Sequence, residues 1–188
     1  MKPTENGRFY CFKDVAAMAR IGRQGRLWLR GFHFFFFGSW IGSQICSNIV
    51  FFAAGSASDG SAFHAYHANA LLLDFMVTIP CAVLTLITGL LLCWLTTLGF
   101  FKNGWVIYSL VAAIVVMVVG AIWLAPGKAE LLAISEREGL AALQSPVYAS
   151  TWNTVAVFNV VVTVITTSVV FISAFKPWRK REGAEATS

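Results

Sequence analysis

The chain has 188 residues, 57% of them hydrophobic and only 12% charged, with a formal net charge of +5. Soluble domains carry about 25% charged residues, so this composition excludes an ordinary soluble domain. The basic residues flank apolar runs, where they set membrane orientation, and nothing recommends nucleic acid as a partner.

Four stretches, about 31–54, 69–98, 104–125 and 152–175, can each cross a bilayer core, which needs about 20 apolar residues. The expected fold class is all-α, an integral membrane bundle of four transmembrane helices. One domain over 31–178 follows a basic segment (1–30) and precedes a polar tail (179–188). The first apolar run is spanning in length and starts well inside the chain, so no cleavable signal peptide is expected. Cys11, Cys46, Cys81 and Cys93 show no C-x-x-C spacing and read as small hydrophobes.

The segment 1–30 interleaves Lys2, Arg8, Lys13, Arg20, Arg23, Arg26 and Arg30 with aromatic and aliphatic residues. It reads as a positive flank orienting the first span, with an interfacial helix on anionic lipid as the alternative. In the first span, a turn of about 100° per residue puts His33, Trp40, Gln44 and Asn48 on one face. Gly38 and Gly42 lie opposite, where small residues let another helix approach.

A small-residue turn with Asp59 leads to His64 and His67 at the entrance to the second span. From His67 one face collects Asp74, Thr78, Cys81, Thr85, Gly89 and Thr96, and this stripe is expected to face the bundle interior. Pro80 should kink the helix. The third span carries Tyr108, Ser109 and Met117, and Pro126-Gly127 is expected to end it. Residues 128–150 then read as a connection holding a short amphipathic surface helix. The fourth span carries Asn159, Thr163, Thr166, Thr167 and Ser173.

Twelve of the 14 basic residues fall in the N-terminal segment, the turn at Lys102 and the tail; the other two loops hold Lys128 and Arg137. The positive-inside rule then predicts that both termini are cytoplasmic (N-in/C-in).

His33, Trp40 and Gly42 form H-x6-W-x-G at the start of the first span. This resembles the first-helix signature of the bacterial CopD-type copper-resistance membrane proteins and of HemJ, a haem-binding protoporphyrinogen oxidase. Leu73-Asp74, Ile79-Pro80, Thr88-Gly89-Leu90 and Phe175-Lys176-Pro177 resemble a related group of predicted four-helix membrane proteins. The resemblance spans about 29–178. It implies a bundle in a bacterial inner membrane that holds haem b or copper, with His33 matching the haem-ligating histidine. HemJ-like sequences place a lysine shortly after a tryptophan at the start of the third helix. Here Trp105 is followed by Val106, Ile107, Tyr108 and Ser109, so that ligand candidate has no match.

A histidine at membrane depth marks a functional site by default. His33 and His67 enter their spans from opposite surfaces, of order 25 Å apart along the normal, so they cannot share one iron. His64 and His67 are neighbours on one helix and cannot flank one porphyrin. This excludes a four-histidine di-haem cytochrome of the b561 type. It leaves haem with one histidine: His33 on the cytoplasmic side, or His64 or His67 on the outer side with Met117, Tyr148 or water opposite. Trp40 and Gln44 share the His33 face and are candidate cofactor contacts. The alternative for His33 is a neutral imidazole bonded to a threonine of the second span. His64 and His67 could hold copper or zinc, or form a solvated flank. Asp74 reads as a proton or cation relay, or as a partner of Asn48 or Asn159.

Three functions follow as expectations. The first is a haem-b redox protein, possible as an oxidoreductase, passing electrons to or from quinol or a redox partner. The second is copper handling or permeation, with His64 and His67 as entry and Asp74, Thr78, Cys81 and Thr85 as the path. The third is a scaffold subunit of a larger complex or homo-oligomer, docking through Gly38 and Gly42.

Overall fold

A computed structural model describes residues 22–95 and 104–175. The expectations for 1–21, the Lys102 turn, Thr96 and the tail lie outside the described residues. Four helices are long and apolar enough to cross a membrane: α1 (Arg23–Ser56), α2 (Gly60–Leu95), α3 (Gly104–Gln144) and α4 (Pro146–Phe175). No strand occurs among the described residues. Each helix packs on its neighbour in sequence and α4 closes the ring on α1. Arg30 marks one end of the bundle and Asp59 the other.

The helices are longer than composition suggests. Hydropathy locates an apolar stretch, while a helix also extends through polar residues whose backbone it satisfies. α1 begins at Arg23, α2 at Gly60 and α4 at Pro146. Asp59 sets the start of α2: its Oδ1 accepts from the Ala62 N–H at 2.8 Å and the Ser61 hydroxyl at 2.6 Å.

Pro126 does not end α3, and residues 128–150 are not a separate surface helix. The helix passes through a π-bulge at Gly120–Leu124 and runs on to Glu138, where Gly139 breaks it at positive φ and a short 3₁₀ turn, Gly139–Gln144, follows. Proline lacks a donor and crowds the carbonyl four residues back, and a wider turn absorbs both defects. The Ala125 N–H, just before Pro126, reaches back five residues to the Gly120 carbonyl. α2 repeats the device: the Ile79 N–H, just before Pro80, reaches the Asp74 carbonyl across a bulge at Asp74–Thr78.

Two apolar layers sandwich a polar one. Phe51, Phe63, Leu131, Ile134, Tyr148 and Val155 fill the Asp59 half, and Trp40, Ala82, Val116 and Val162 the other. Between them α1 contributes Ser43, Gln44, Ser47 and Asn48, α2 Asp74 and Thr78, α3 Lys128, and α4 Asn159 and Thr163. The exterior is apolar: Phe34, Ile49, Met76, Ile122 and Val164 are all more than half exposed. Polar inside and apolar outside reverses the order of a water-soluble protein and suits contact with a lipid bilayer. Among the described glycines the tightest surroundings are at Gly127, where a Cβ would lie 2.5 Å from Val155 Cγ2.

Candidate functional site

At the Arg30 end the four helices line a partly open cavity of about 350 Å³, within the range of small-molecule sites. Its wall is mostly apolar, with His33 and Trp40 from α1, Thr85, Gly89 and Cys93 from α2, Trp105 and Ser109 from α3, and Thr166 and Ser173 from α4.

His33 is held in one orientation. Its Nδ1 lies 2.9 Å from Thr88 Oγ1, the threonine contact expected for a buried imidazole. Thr88 spends its single proton on its own backbone, with the Leu84 carbonyl at 2.7 Å and the Thr85 carbonyl at 3.1 Å. Its oxygen therefore accepts from Nδ1–H, which assigns the tautomer and leaves the lone pair on Nε2. Gly89 makes room for the ring, since a Cβ there would sit 3.2 Å from His33 Cε1.

The other histidines are committed elsewhere. His67, expected at the helix entrance as a ligand or a solvated flank, is 2% exposed. Its Nε2 lies 3.1 Å from Tyr148 Oη, and the Phe63 ring meets it edge-on at 4.9 Å. His64 Nδ1 contacts Ser135 Oγ at 3.3 Å. The two side chains thus turn to partners on different helices, α4 and α3. Among the described residues no group of three His, Cys, Asp or Glu lies close enough to hold a metal ion.

Asp74 pairs with neither Asn48 nor Asn159. Its Oδ2 accepts from Lys128 Nζ at 2.6 Å, and the two side chains are 17% and 4% exposed. Lys128 also donates to Ser47 Oγ at 2.9 Å and lies 5.9 Å from the centre of the Phe51 ring. Thr78 donates to Ser43 Oγ at 3.0 Å, with Asp74 Oδ1 at 3.4 Å.

Along the stripe expected as a path, the hydroxyls bond within the bundle. Below Thr78 the next hydroxyl, Thr85, turns back to the Cys81 carbonyl at 2.7 Å. Of the residues expected to share a face with His33, Trp40 lines the cavity. Gln44 instead reaches Thr163 at 3.3 Å, joined there by Asn48 at 2.8 Å. Met117 packs beside the Trp40 core, outside the cavity wall. Gly38 and Gly42 face open space.

Lys128 was the partner least visible beforehand. Lys128 does share a helical face with Leu131 and Ile134, a signal that the Pro126-Gly127 pair masked.

No family model, curated protein or solved structure matches the chain.

Proposed function

We propose that the chain is a multi-pass protein of a bacterial inner membrane, N-in and C-in, of the CopD/HemJ-like type. In this reading the cavity at the Arg30 end holds haem b, with His33 as axial ligand, and the protein exchanges electrons with quinol or a redox partner. The observation that carries the reading is the 2.9 Å contact between His33 Nδ1 and Thr88 Oγ1. A metal-ligating histidine characteristically donates its other ring N–H to a fixed acceptor, which orients the ring and raises its basicity. His33 has that arrangement through Thr88, on the wall of an apolar cavity formed by four helices.

The residues present fit the group. His33 Nε2 would hold the iron, Gly89 keeps the imidazole's place clear, and the mostly apolar wall suits a porphyrin. Arg30 at the cavity edge would neutralise an anionic substituent. Haem, when bound, supplies one-electron redox chemistry whose potential follows ligand and burial. Cys93 also lines the cavity and would be a second candidate to hold the group, in place of Met117. Copper at His64 and His67 is the weaker reading, because each ring is already bonded and a third donor is missing among the described residues.

The test is an oxidised and dithionite-reduced optical spectrum of the detergent-purified protein, with metal analysis of the same sample. A Soret band with a reduced α-band supports the reading. A colourless protein that also gains no such band when haem is added contradicts it.

A further inference from the structure

The start of α1 carries more positive charge than the cavity reading uses. We propose that Arg23, Arg26 and Arg30 form a headgroup site for an anionic phospholipid, whose phosphate sits on the guanidinium groups and whose acyl chain lies over Phe34 and Leu90. This does not depend on what the cavity holds.

The site begins with the register of α1. The helix is continuous from Arg23, so its three arginines stand three and four residues apart. At about 100° and 1.5 Å per residue they fall within about 60° of one another over a rise of about 10 Å. Arg26 precedes His33 by seven residues, which puts it within about 20° of the same helix face. The three form a ladder leading to the cavity, with Arg30 as the rung on its edge. Side chains three and four apart on a helix are neighbours, and like charges there repel.

No described carboxylate answers that charge. The described acidic residues are Asp59, Asp74, Glu130, Glu136 and Glu138, all in the polar layer or toward the Asp59 end. The one ion pair among the described residues is Lys128–Asp74. Arg23 and Arg30 are exposed and Arg26 is half-buried. Planar guanidinium forks facing outward without a carboxylate suit the oxygens of a phosphate.

The surroundings favour a lipid over a soluble anion. Trp28 is 65% exposed, as a tryptophan at a membrane interface is. The exposed Phe32, Phe34 and Phe35 begin the apolar outer surface within a turn of Arg30, so the ladder stands at headgroup level. Phe34 on α1 and Leu90 on α2 line the cavity and are also exposed on the outside. An apolar ledge thus continues directly from the arginines. A free phosphate would leave that ledge bare, whereas a phospholipid covers both parts. Anionic headgroups are also what basic residues beside a span attract.

The test uses the full chain in phosphatidylcholine nanodiscs carrying a small fraction of spin-labelled phosphatidylglycerol or spin-labelled phosphatidylcholine. Electron paramagnetic resonance measures the motionally restricted lipid. The expected result is saturable restriction of phosphatidylglycerol above that of phosphatidylcholine. Arg23→Gln/Arg26→Gln leaves Arg30 on the cavity edge and should weaken phosphatidylglycerol binding about tenfold or more. Glutamine keeps a helix propensity close to that of arginine, so α1 is preserved. Lys2→Gln/Arg8→Gln removes the same charge outside the described residues and should weaken binding by no more than about threefold. The proposal is overturned if the two lipids are restricted alike or if the two double variants lose affinity equally. It is also overturned if inorganic phosphate displaces the labelled lipid where chloride of the same ionic strength does not, since the site would then be one for a soluble anion.

Discussion

Lys128 and Asp74 meet at 2.6 Å because two proline-linked bulges bring them to one level. Asp74 opens the π-bulge before Pro80, and Lys128 follows the one before Pro126. A regular helix at either place would rotate one side chain off the shared face by a large fraction of a turn.

Breaking this pair from one side should cost much more than removing it whole. Asp74→Asn or Lys128→Met alone is expected to destabilise the bundle by about 3–5 kcal/mol, since each leaves a buried group uncompensated. The double variant should recover most of that loss. Thermal unfolding in detergent, followed by circular dichroism, measures the coupling; additive losses would mean the two charges do not act as a pair.

Gly127→Ala should destabilise the α3–α4 contact by about 1–3 kcal/mol, the usual cost of overpacking. The clash is with Val155 Cγ2, on a β-branched side chain that cannot swing away. Val155→Ala should restore Gly127→Ala toward the stability of Val155→Ala alone. Failure of that rescue would place the close approach elsewhere.

The stripe from His67 through Asp74 and Thr78 to Thr85 was readable because helical periodicity needs nothing but sequence. So was the His33–Thr88 type of contact. The length of α3 was not readable. Pro126-Gly127 is a strong stop in water, yet a π-bulge upstream and a valine packed on Gly127 carry the helix through. That error hid Lys128, because a lysine assigned to a loop needs no partner. His67 misled for a similar reason: its place at a span entrance suggested solvent, whereas α2 begins earlier, at Gly60, and folds it against Tyr148.

Gly139 is the one described glycine with positive φ, at 54°, and it crosses Gly60. A side chain is strained at that conformation by about 1–3 kcal/mol. Gly139→Ala should lower the melting temperature, whereas Gly60→Ala, whose Cβ would meet Gly139 Cα at an ordinary 3.5 Å, should be tolerated better. Equal losses from the two substitutions would contradict this assignment.

Asp59 supplies a pH dependence outside the spans. The Ser61 hydroxyl, the Ala62 N–H and the Ser58 hydroxyl hold its carboxyl below the ordinary carboxylate range. A depressed folded value means that its contribution is complete above the ordinary range and is lost as pH falls through the lowered value. Wild type should therefore lose melting temperature on acidification more steeply than Asp59→Asn. Parallel profiles for the two proteins would remove the cap from the account.

The most direct measurement is a haem titration of the detergent-purified protein, wild type beside His33→Ala and Thr88→Val, followed at the Soret band. The account predicts saturable one-to-one binding in wild type, loss of the ligated spectrum in His33→Ala, and binding weakened about 10–100-fold in Thr88→Val, the usual effect of removing a group that orients a ligand. An identical ligated spectrum and affinity in wild type and His33→Ala would contradict it.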